Sequence, residues 1–391
     1  MSTTAFIRVA LAGILALSVA AVVVMIKVSV NQAGTHAARG KSDFSAVGRY
    51  VFIPSRGAPI VTVVDMNSDA VVGSLDPGLV PEQLFVSEAT RKLVAIDGVA
   101  PGLSIVDLAN GHRTAIDLDF TPQRLIGSPD GYMVAAADPS GGTVGFIELM
   151  RSRVVTRITG LSPIRDLMFG GDGKFLYVAA ERLNGVGVVD VSRAELIADI
   201  PVSGLPSSVS AGLTRSPSGR IGYVKARGNG TISMVDLSDF RPVRELEVGR
   251  YADKVFPTGF GGYLVVPDNS EKTVTVIANP SLTVAAMLKG ATGMATVYSG
   301  WFDTLALVPS ATERKLLVYD LDRLTQAPDI PLPGTPGPGA VTQDGAKLYL
   351  VLSDESKVAV VDLQSRKLVR TIAVPSNPAA AVLAKSFDVC H

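Results

Sequence analysis

A short β-rich segment recurs along the chain about every 42 residues, eight times in all. Its fifth position is acidic in seven copies, at Asp65, Asp107, Glu148, Asp190, Asp236, Asp320 and Asp362, and is Ala278 in the remaining one. Successive intervals are 42, 41, 42, 46, 42, 42 and 42 residues. A fixed period of this length, built from strands, predicts a β-propeller. A helical repeat would space apolar residues 3.6 apart, whereas these segments alternate or are β-branched.

One repeat predicts one four-stranded blade. Around the fourth copy, we expect strands at Pro163–Phe169, Lys174–Ala179, Val186–Val191 and Leu196–Val202, with Gly170–Gly173 as a turn. Glycine supplies the positive φ that such turns use. The acidic residue at the end of the third strand begins another turn, where its carboxylate can accept hydrogen bonds from backbone N–H groups. We therefore interpret these repeated carboxylates as structural.

The two ends of the repeat array are out of phase with each other. Only one strand, Arg49–Pro54, precedes the first repeated segment, and an extra apolar stretch, Pro378–Lys385, follows the last outer strand. Together they would complete one blade, which would pair the exposed edges of an open array. The sequence thus predicts an all-β, eight-bladed propeller over residues 48–386, with seven blades as the alternative.

The amino terminus contains an apolar run without charges, Val9–Ile26, between Arg8 and Lys27. Eighteen residues rise about 27 Å as a helix, close to the thickness of a bilayer's hydrocarbon core. We expect residues 1–28 to be a membrane anchor, with a cleaved signal segment as the alternative, residues 29–47 to be a linker, and residues 387–391 to be a tail. The expected location is a bacterial cytoplasmic membrane, single-pass, with the propeller on the periplasmic or extracellular side.

Charge and cysteine content exclude some classes of function. Lys plus Arg and Asp plus Glu both total 36, so the net charge is zero, which argues against a nucleic-acid-binding surface. Cys390 is the single cysteine, so no intrachain disulfide can form. The final Asp-Val-Cys-His lacks the first cysteine of a c-type haem attachment motif, and we interpret it as part of the tail.

Two stretches carry a family resemblance, GKFLYVAA with VGVVDV and AKLYLVLS with VAVVDLQSRKLVRTIAVPSNP. They resemble the YVTN-type repeats of exported bacterial and archaeal propellers. Relatives with such blades include surface-layer-like proteins, the large subunit of methylamine dehydrogenase, and the haem d1 domains of cytochrome cd1 nitrite reductase with the related haem d1 maturation proteins. The resemblance implies an eight-bladed fold for the haem d1 group, whereas simple YVTN proteins more often have seven blades. The fold alone does not fix a function.

The chain offers no obvious catalytic or metal-binding set. Its three histidines are His36, His112 and His391, and none falls on a predicted channel-facing strand. Haem d1 proteins of this fold use axial histidines, so we predict no cofactor. No nucleophile elbow, phosphate-binding loop, Cys/His metal cluster or lactonase-type carboxylate set is present, nor are the repeated docking tryptophans of quinoprotein dehydrogenases. Trp301 is interpreted as a packing residue.

One column of residues stands out at the predicted channel mouth. Propeller ligands bind where the inner strands begin, and aligning those strands gives Gln83, Arg124, Arg165, Ser208, Lys254, Thr296, Ala340 and Ala380. Three of the eight are cationic, Arg250 lies just before Lys254, and Arg56 lies in a loop that could reach the same mouth. Unpaired, this cluster would attract an anionic ligand. The alternative is neutralisation by the adjacent Glu82, Asp166 and Asp253.

These observations favour a binding or scaffold subunit of an envelope protein complex, tethered through Val9–Ile26, over an enzyme. Its expected partners are a protein and an anionic ligand. The alternative is a redox accessory propeller that binds an anionic cofactor such as haem d1 or serves an amine dehydrogenase system. A hydrolase or lactonase is a third hypothesis, and a haem absorbance band would separate the first two.

Overall fold

The computed structural model describes residues 43–204, 211–226, 228, 230–248, 252 and 254–384. The expected anchor Val9–Ile26, the linker up to residue 42 and the tail lie outside these ranges. Within them, no helix is long and apolar enough to span a membrane.

The described residues form 32 strands, arranged as eight four-stranded antiparallel sheets, and one short 3-10 helix, Val47–Arg49. Blade 1 holds β1 (Tyr50–Pro54), β2 (Val61–Asp65), β3 (Ala70–Leu75) and, from the other end of the chain, β32 (Val382–Leu383). Blade 2 holds β4 (Gln83–Ser87), β5 (Lys92–Ile96), β6 (Gly102–Asp107) and β7 (Arg113–Asp117). Blade 3 holds β8 (Arg124–Gly127), β9 (Met133–Asp138), β10 (Thr143–Glu148) and β11 (Arg153–Ile158). Blade 4 holds β12 (Ile164–Phe169), β13 (Phe175–Ala180), β14 (Gly185–Asp190) and β15 (Glu195–Pro201).

The second half of the molecule repeats this pattern. Blade 5 holds β16 (Ala211–Arg215), β17 (Ile221–Ala226), β18 (Thr231–Asp236) and β19 (Arg241–Glu247). Blade 6 holds β20 (Phe256–Pro257), β21 (Tyr263–Asp268), β22 (Thr273–Ala278) and β23 (Thr283–Lys289). Blade 7 holds β24 (Tyr298–Gly300), β25 (Leu305–Ser310), β26 (Lys315–Asp320) and β27 (Thr325–Pro331). Blade 8 holds β28 (Pro336–Val341), β29 (Lys347–Leu352), β30 (Lys357–Asp362) and β31 (Lys367–Ala373).

Blade 1 closes the ring in the way that the phase of the ends predicts. Its inner strand β32 comes from the carboxyl-terminal part and pairs with β1, Val51 opposite Leu383 and Phe52 opposite Val382. The Ala379 N–H donates to the Pro54 carbonyl at 2.8 Å. The prediction of an eight-bladed propeller with shared closure is therefore confirmed, and the seven-bladed alternative is wrong.

The core lies between neighbouring blades. The two middle strands of each blade are buried on both faces, as in β14, whereas outer strands such as β15 are mostly exposed. This burial explains why the middle strands read as continuous apolar runs. Phe44 and Val47 are each 3 % exposed and join the cluster between blades 1 and 2. The last residues of the expected linker are thus packed against the propeller.

The repeated acidic residues stabilise the turns after the third strands. Asp65 accepts hydrogen bonds from the Asn67 and Ser68 N–H groups, each at 2.9 Å, and Asp236 accepts them from Ser238 and Asp239 at 2.9 and 3.1 Å. Burial alone would raise the pKa of Asp236, but these hydrogen bonds outweigh it and hold that pKa well below its ordinary value. The structural interpretation is confirmed for these aspartates, whereas Glu148 forms ion pairs with Arg151 and Arg153.

Candidate functional site

The inner strands all begin at one end of the central channel and end at the other. We call these ends the upper mouth, next to Gln83, Arg124 and Lys254, and the lower mouth, next to the turns that follow the inner strands. A cavity of about 390 Å³ runs along the channel beside blades 2 to 6, and its lining includes all three of these residues. The channel therefore has the predicted polar side chains at its upper mouth.

Strand register changes which residue of blade 4 belongs to this position. Gln83 pairs with Ile96 and Arg124 with Ala137, and each of these partners is the fifth residue of the second strand of its blade. In blade 4 the corresponding partner is Ala179, and it pairs with Asp166 because the ladder shifts between Ile164 and Asp166. This β-bulge inserts one residue. The alignment of Arg165 with the column is therefore wrong by one residue.

Asp166 is the central group of the upper mouth. Its Oδ1 accepts a hydrogen bond from Arg124 Nη1 at 2.8 Å, and its Oδ2 lies 3.7 Å from Lys254 Nζ. The same carboxylate accepts the backbone N–H groups of Leu167 at 3.0 Å and Leu213 at 2.8 Å. Asp166 is 7 % exposed, whereas the side chains of Arg124 and Lys254 are 43 % and 34 % exposed. One buried carboxylate thus holds two cations that solvent can still reach.

Asp166 and Gln83 share a structural role. Gln83 Oε1 accepts the Leu125 N–H at 3.0 Å, just as Asp166 accepts that of Leu213. In both cases a side chain of one inner strand binds the backbone of the inner strand in the next blade. The innermost strand of a blade has a free edge whose N–H groups need partners. These two side chains satisfy part of that need and tie consecutive blades together around the mouth.

Arg165 and Arg56 do not line the channel cavity. The Arg165 side chain is 11 % exposed, and its Nη2 lies 3.6 Å from Glu181 Oε2. Arg56 makes two hydrogen bonds to Glu82, at 2.8 and 2.9 Å, beside the upper mouth. This Glu82 contact raises the pKa of Arg56. The adjacent acidic residues therefore neutralise part of the predicted cluster.

Two further members of the prediction, Arg250 and Ser208, lie outside the described residues, as does Asp253. Of the residues described, Arg124 and Lys254 share Asp166, so this group carries a net charge of +1. Arg215 of β16 is 7 % exposed and also lines the cavity. Whether this mouth binds an anion stays a prediction.

No histidine is among the described residues that line the channel cavity, so they offer no imidazole as an axial ligand for a haem iron. In the ranges that the structure covers, no group of three or more His, Cys, Asp or Glu could hold a metal ion. His112, the histidine of those ranges, is exposed in the turn between β6 and β7. The channel cavity is therefore lined by cationic groups that could bind ligand carboxylates, without an imidazole for an axial position.

Sequence reasoning missed Asp166 as a site residue and treated it only as a neighbour of the column. The signal that could have found it is the spacing to the turn that follows. Arg124 precedes Ser128 by four residues, and Asp166 precedes Gly170 by four, with Ser128 and Gly170 making the same closing hydrogen bond to Met133 and Phe175. Counting back from the turn would have revealed the bulge.

Fold and site together define an eight-bladed propeller with a partly neutralised basic channel mouth. Residues 89–386 match the family model described as YNCE-like beta-propeller. The chain belongs to this family.

Relatives of known name share parts of the chain. It is 26 % identical over 231 residues to dihydro-heme d1 dehydrogenase of Pseudomonas aeruginosa, an alignment that covers 54 % of this chain and 44 % of that protein. The chain thus matches less than half of that relative's length. The solved structure of dihydro-heme d1 dehydrogenase NirN in complex with DHE gives a TM-score of 0.73 at 15 % identity, covering 89 % of this chain and 77 % of the other. Apo AztD from Citrobacter koseri gives 0.64 at 16 % identity, covering 85 % and 97 %. The structural likenesses confirm the fold, and the sequence match supports the relation to haem d1-type propellers.

Proposed function

We propose that this propeller is a ligand-binding accessory protein that takes an anionic, carboxylate-bearing small molecule at its upper mouth. The observation that carries the proposal is the sharing of Asp166 by Arg124 and Lys254, which leaves one positive charge in excess beside an open cavity. The first ligand to test is a tetrapyrrole with carboxylate side chains, because a relative is named for dihydro-haem d1.

The geometry leaves donors for such a ligand. A guanidinium has five N–H donors, and one of those of Arg124, on Nη1, is directed at Asp166. Lys254 Nζ has three donors and a longer contact to Asp166, 3.7 Å. Both side chains are more than one third exposed, so a carboxylate can approach them without displacing core residues. Hydrogen bonds between two charged groups are about twice as strong as neutral ones.

The proposed role is binding rather than catalysis. The described part of the channel offers no imidazole that could bind an iron, so the macrocycle would be held through its carboxylates. A ligand-binding role agrees better with the redox accessory hypothesis than with the scaffold hypothesis, because only the former includes a small anionic ligand. The protein partner of an envelope complex remains a separate prediction.

A titration tests the ligand class. Metal-free mesoporphyrin, with two carboxylates, and its dimethyl ester, with none, are compared by absorbance and by quenching of porphyrin emission. The double variant Arg124→Gln/Lys254→Gln should bind the diacid at least about tenfold more weakly, since the loss of even one charge-assisted hydrogen bond costs about 1.5 kcal/mol. Binding should also weaken with salt.

The matched control is Lys174→Gln/Arg153→Gln, which removes two exposed charges away from the channel, with side chains 75 % and 59 % exposed. It should bind like the parent protein. Equal affinity of the ester and the diacid, or equal loss in both double variants, would overturn the proposal.

We also propose that the chain is tethered at the outer face of a bacterial cytoplasmic membrane by Val9–Ile26. The support is the length and lack of charge of that segment. Intact mass of the protein from its native membrane decides whether the segment is retained, and a mature amino terminus near residue 38 would favour the cleaved signal instead. Protease added to intact spheroplasts should digest the propeller, and protection from the protease would contradict the orientation.

A further inference from the structure

The turn that follows the inner strand of blade 7 is unlike the equivalent turns. In five other blades the left-handed residue of this turn is glycine, at Gly131, Gly173, Gly219, Gly261 and Gly345. Blade 7 instead has three consecutive non-glycine residues in that region, Trp301, Phe302 and Asp303, with φ values of 49°, 54° and 65°. Residues with a side chain rarely adopt this left-handed backbone conformation, and when they do they are often found at functional sites.

A set of hydrogen bonds holds this turn in place. The Trp301 N–H donates to the Gly345 carbonyl of blade 8 at 2.8 Å, and Thr304 Oγ1 donates to the Trp301 carbonyl at 2.8 Å. Asp303 accepts from Ser299 Oγ at 2.5 Å and from the Phe260 N–H of blade 6 at 3.2 Å. The turn is thus fixed to both neighbouring blades at the lower mouth.

This arrangement presents aromatic rings to solvent. Phe260 is 77 % exposed and Phe302 is 67 % exposed. The Trp301 and Phe302 rings meet edge to face with centroids 5.4 Å apart. Phe302 on the strained turn and Phe260 on the neighbouring turn of blade 6 thus expose most of their rings to solvent, an arrangement typical of a binding surface.

The rings line a cavity of about 680 Å³ that opens at the lower mouth. Its lining also includes a wall of small residues, Pro338, Gly339 and Ala340 of β28 and Ala380 and Ala381 before β32, together with the larger Leu84, Val341, Val382 and Leu383. A cavity of this size, apolar with a few polar groups, is typical of sites for small organic ligands.

The charge at this mouth is opposite to that at the upper one. Asp303 and Asp344 both line the cavity, and within the described ranges neither has an ion-pair partner. Asp344 is held by Thr342 Oγ1 at 2.6 Å and the Ala346 N–H at 3.0 Å. Two carboxylates beside aromatic rings repel an anion and attract a cation, whereas a neutral ring system can bind by stacking on the rings.

We propose that the lower mouth is a second binding site, which takes an uncharged or cationic aromatic ring compound between Phe260, Trp301 and Phe302 and the small-residue wall. It differs from the upper mouth in its aromatic and charged side chains, although the two cavities share Leu84, Val382 and Leu383 along the channel.

Trp301 makes the test direct, since it is the only tryptophan in the chain. Two anthracene probes that accept energy from tryptophan are compared, the neutral 9-hydroxymethylanthracene and the anionic anthracene-9-carboxylate. We expect saturable energy transfer from Trp301 to the neutral probe, with at least tenfold weaker binding of the carboxylate. No saturable transfer, or equal affinity for the two probes, would overturn the site.

Variants assign the binding to the rings. Phe302→Asn removes a ring and keeps a residue that tolerates the left-handed region, and it should weaken binding of the neutral probe at least fivefold. The control is Tyr132→Ser, an exposed aromatic after the equivalent turn of blade 3 that lies outside the cavity lining. Equal affinity of the two variants, read from probe emission, would refute the role of Phe302.

Two further variants test whether the turn is strained and whether the two mouths bind their ligands separately. Phe302→Gly should raise the melting temperature while weakening binding, since glycine adopts the turn without steric cost. A lower melting temperature with unchanged binding would contradict the argument. Arg124→Gln/Lys254→Gln should leave binding of the neutral probe unchanged, so that failure at one mouth is told apart from failure at the other.

Discussion

Replacing Asp166 by asparagine tests the electrostatic model of the upper mouth, because it moves affinity and stability in opposite directions. The carboxylate accepts hydrogen bonds from Arg124 Nη1, the Leu167 N–H and the Leu213 N–H, and it lies 3.7 Å from Lys254. An asparagine keeps the shape and one acceptor oxygen. Its NH2 group would face donors, and its lost charge leaves two cations without their shared partner.

The expected gain in affinity follows from Coulomb's law. A ligand carboxylate bound to Arg124 would lie roughly 6 Å from Asp166, where repulsion between unit charges is about 0.7 kcal/mol at the dielectric constant of water and about 2.8 kcal/mol at an effective value of 20. Asp166→Asn should thus tighten binding of a dicarboxylic porphyrin by about threefold to about hundredfold. The lost charge-assisted bonds and the unpaired Leu213 N–H should lower the free energy of unfolding by about 2–4 kcal/mol.

Porphyrin titration and thermal unfolding measure the two effects on the same samples. Asp172→Asn is the matched control, since it removes one carboxylate, 52 % exposed, from the turn at the other end of β12. That variant should leave both affinity and melting temperature close to those of the parent. Weaker or unchanged binding by Asp166→Asn, together with the expected loss of stability, would refute anion binding at this mouth.

Three further predictions concern the fold. Deleting residues 376–391 should lower the free energy of unfolding by about 3–5 kcal/mol, because β1 loses its inner partner and fully buried Val51 and Phe52 become exposed; unchanged thermal unfolding would contradict the shared closing blade. Gly185→Ala should cost about 2–3 kcal/mol, since a Cβ there would lie 1.7 Å from the Ile200 carbonyl oxygen, whereas Gly230→Ala, with its nearest atom at 3.7 Å, should be nearly neutral in the same urea titration. Burial raises the pKa of Tyr298 to about 12. Between pH 10 and 12 the unfolded chain therefore loses this proton while the folded one keeps it, so this tyrosine should lower stability by up to about 2 kcal/mol as pH rises; because burial also raises the pKa of Tyr177, Tyr223, Tyr319 and Tyr349, Tyr298→Phe should reduce but not abolish the slope of the urea-midpoint profile there, and an unchanged slope would count against the buried hydroxyl.

The architecture was predictable from sequence because it rests on period and phase. The acidic position recurs at near-constant spacing and its turn geometry is local, so Asp65 and Asp236 make equivalent turn hydrogen bonds in two different blades. Closure was predictable because the leftover strands at the two ends, Arg49–Pro54 and Pro378–Lys385, could pair only with each other.

The site was predictable only in part. Gln83, Arg124 and Lys254 lie where the alignment put them, since no irregularity precedes them in their blades. Arg165 does not, because aligning the inner strands from their first residues overlooks the bulge between Ile164 and Asp166, which counting back from the following turn would reveal. The aromatic turn at Trp301 was interpreted as core packing. Trp301 does contact the cluster between blades 7 and 8, but the left-handed conformation that exposes Phe302 is a property of the backbone that composition does not reveal.

The two mouths differ because a propeller separates the positions that build its core from those that line its channel. Each blade contributes one residue at the start of its inner strand and one turn at the end, while the buried side chains between blades stay apolar. Blades 2, 3, 4 and 6 place Gln83, Arg124, Asp166 and Lys254 at the upper mouth, and blades 1 and 8 place small residues along the same channel. A change at Arg124 or Lys254 alters the charge of the upper mouth without changing the apolar packing between two blades. The eightfold repeat therefore fixes the shape of the channel, and departures from the repeat, such as the bulge at Asp166 and the turn at Trp301, determine its chemistry.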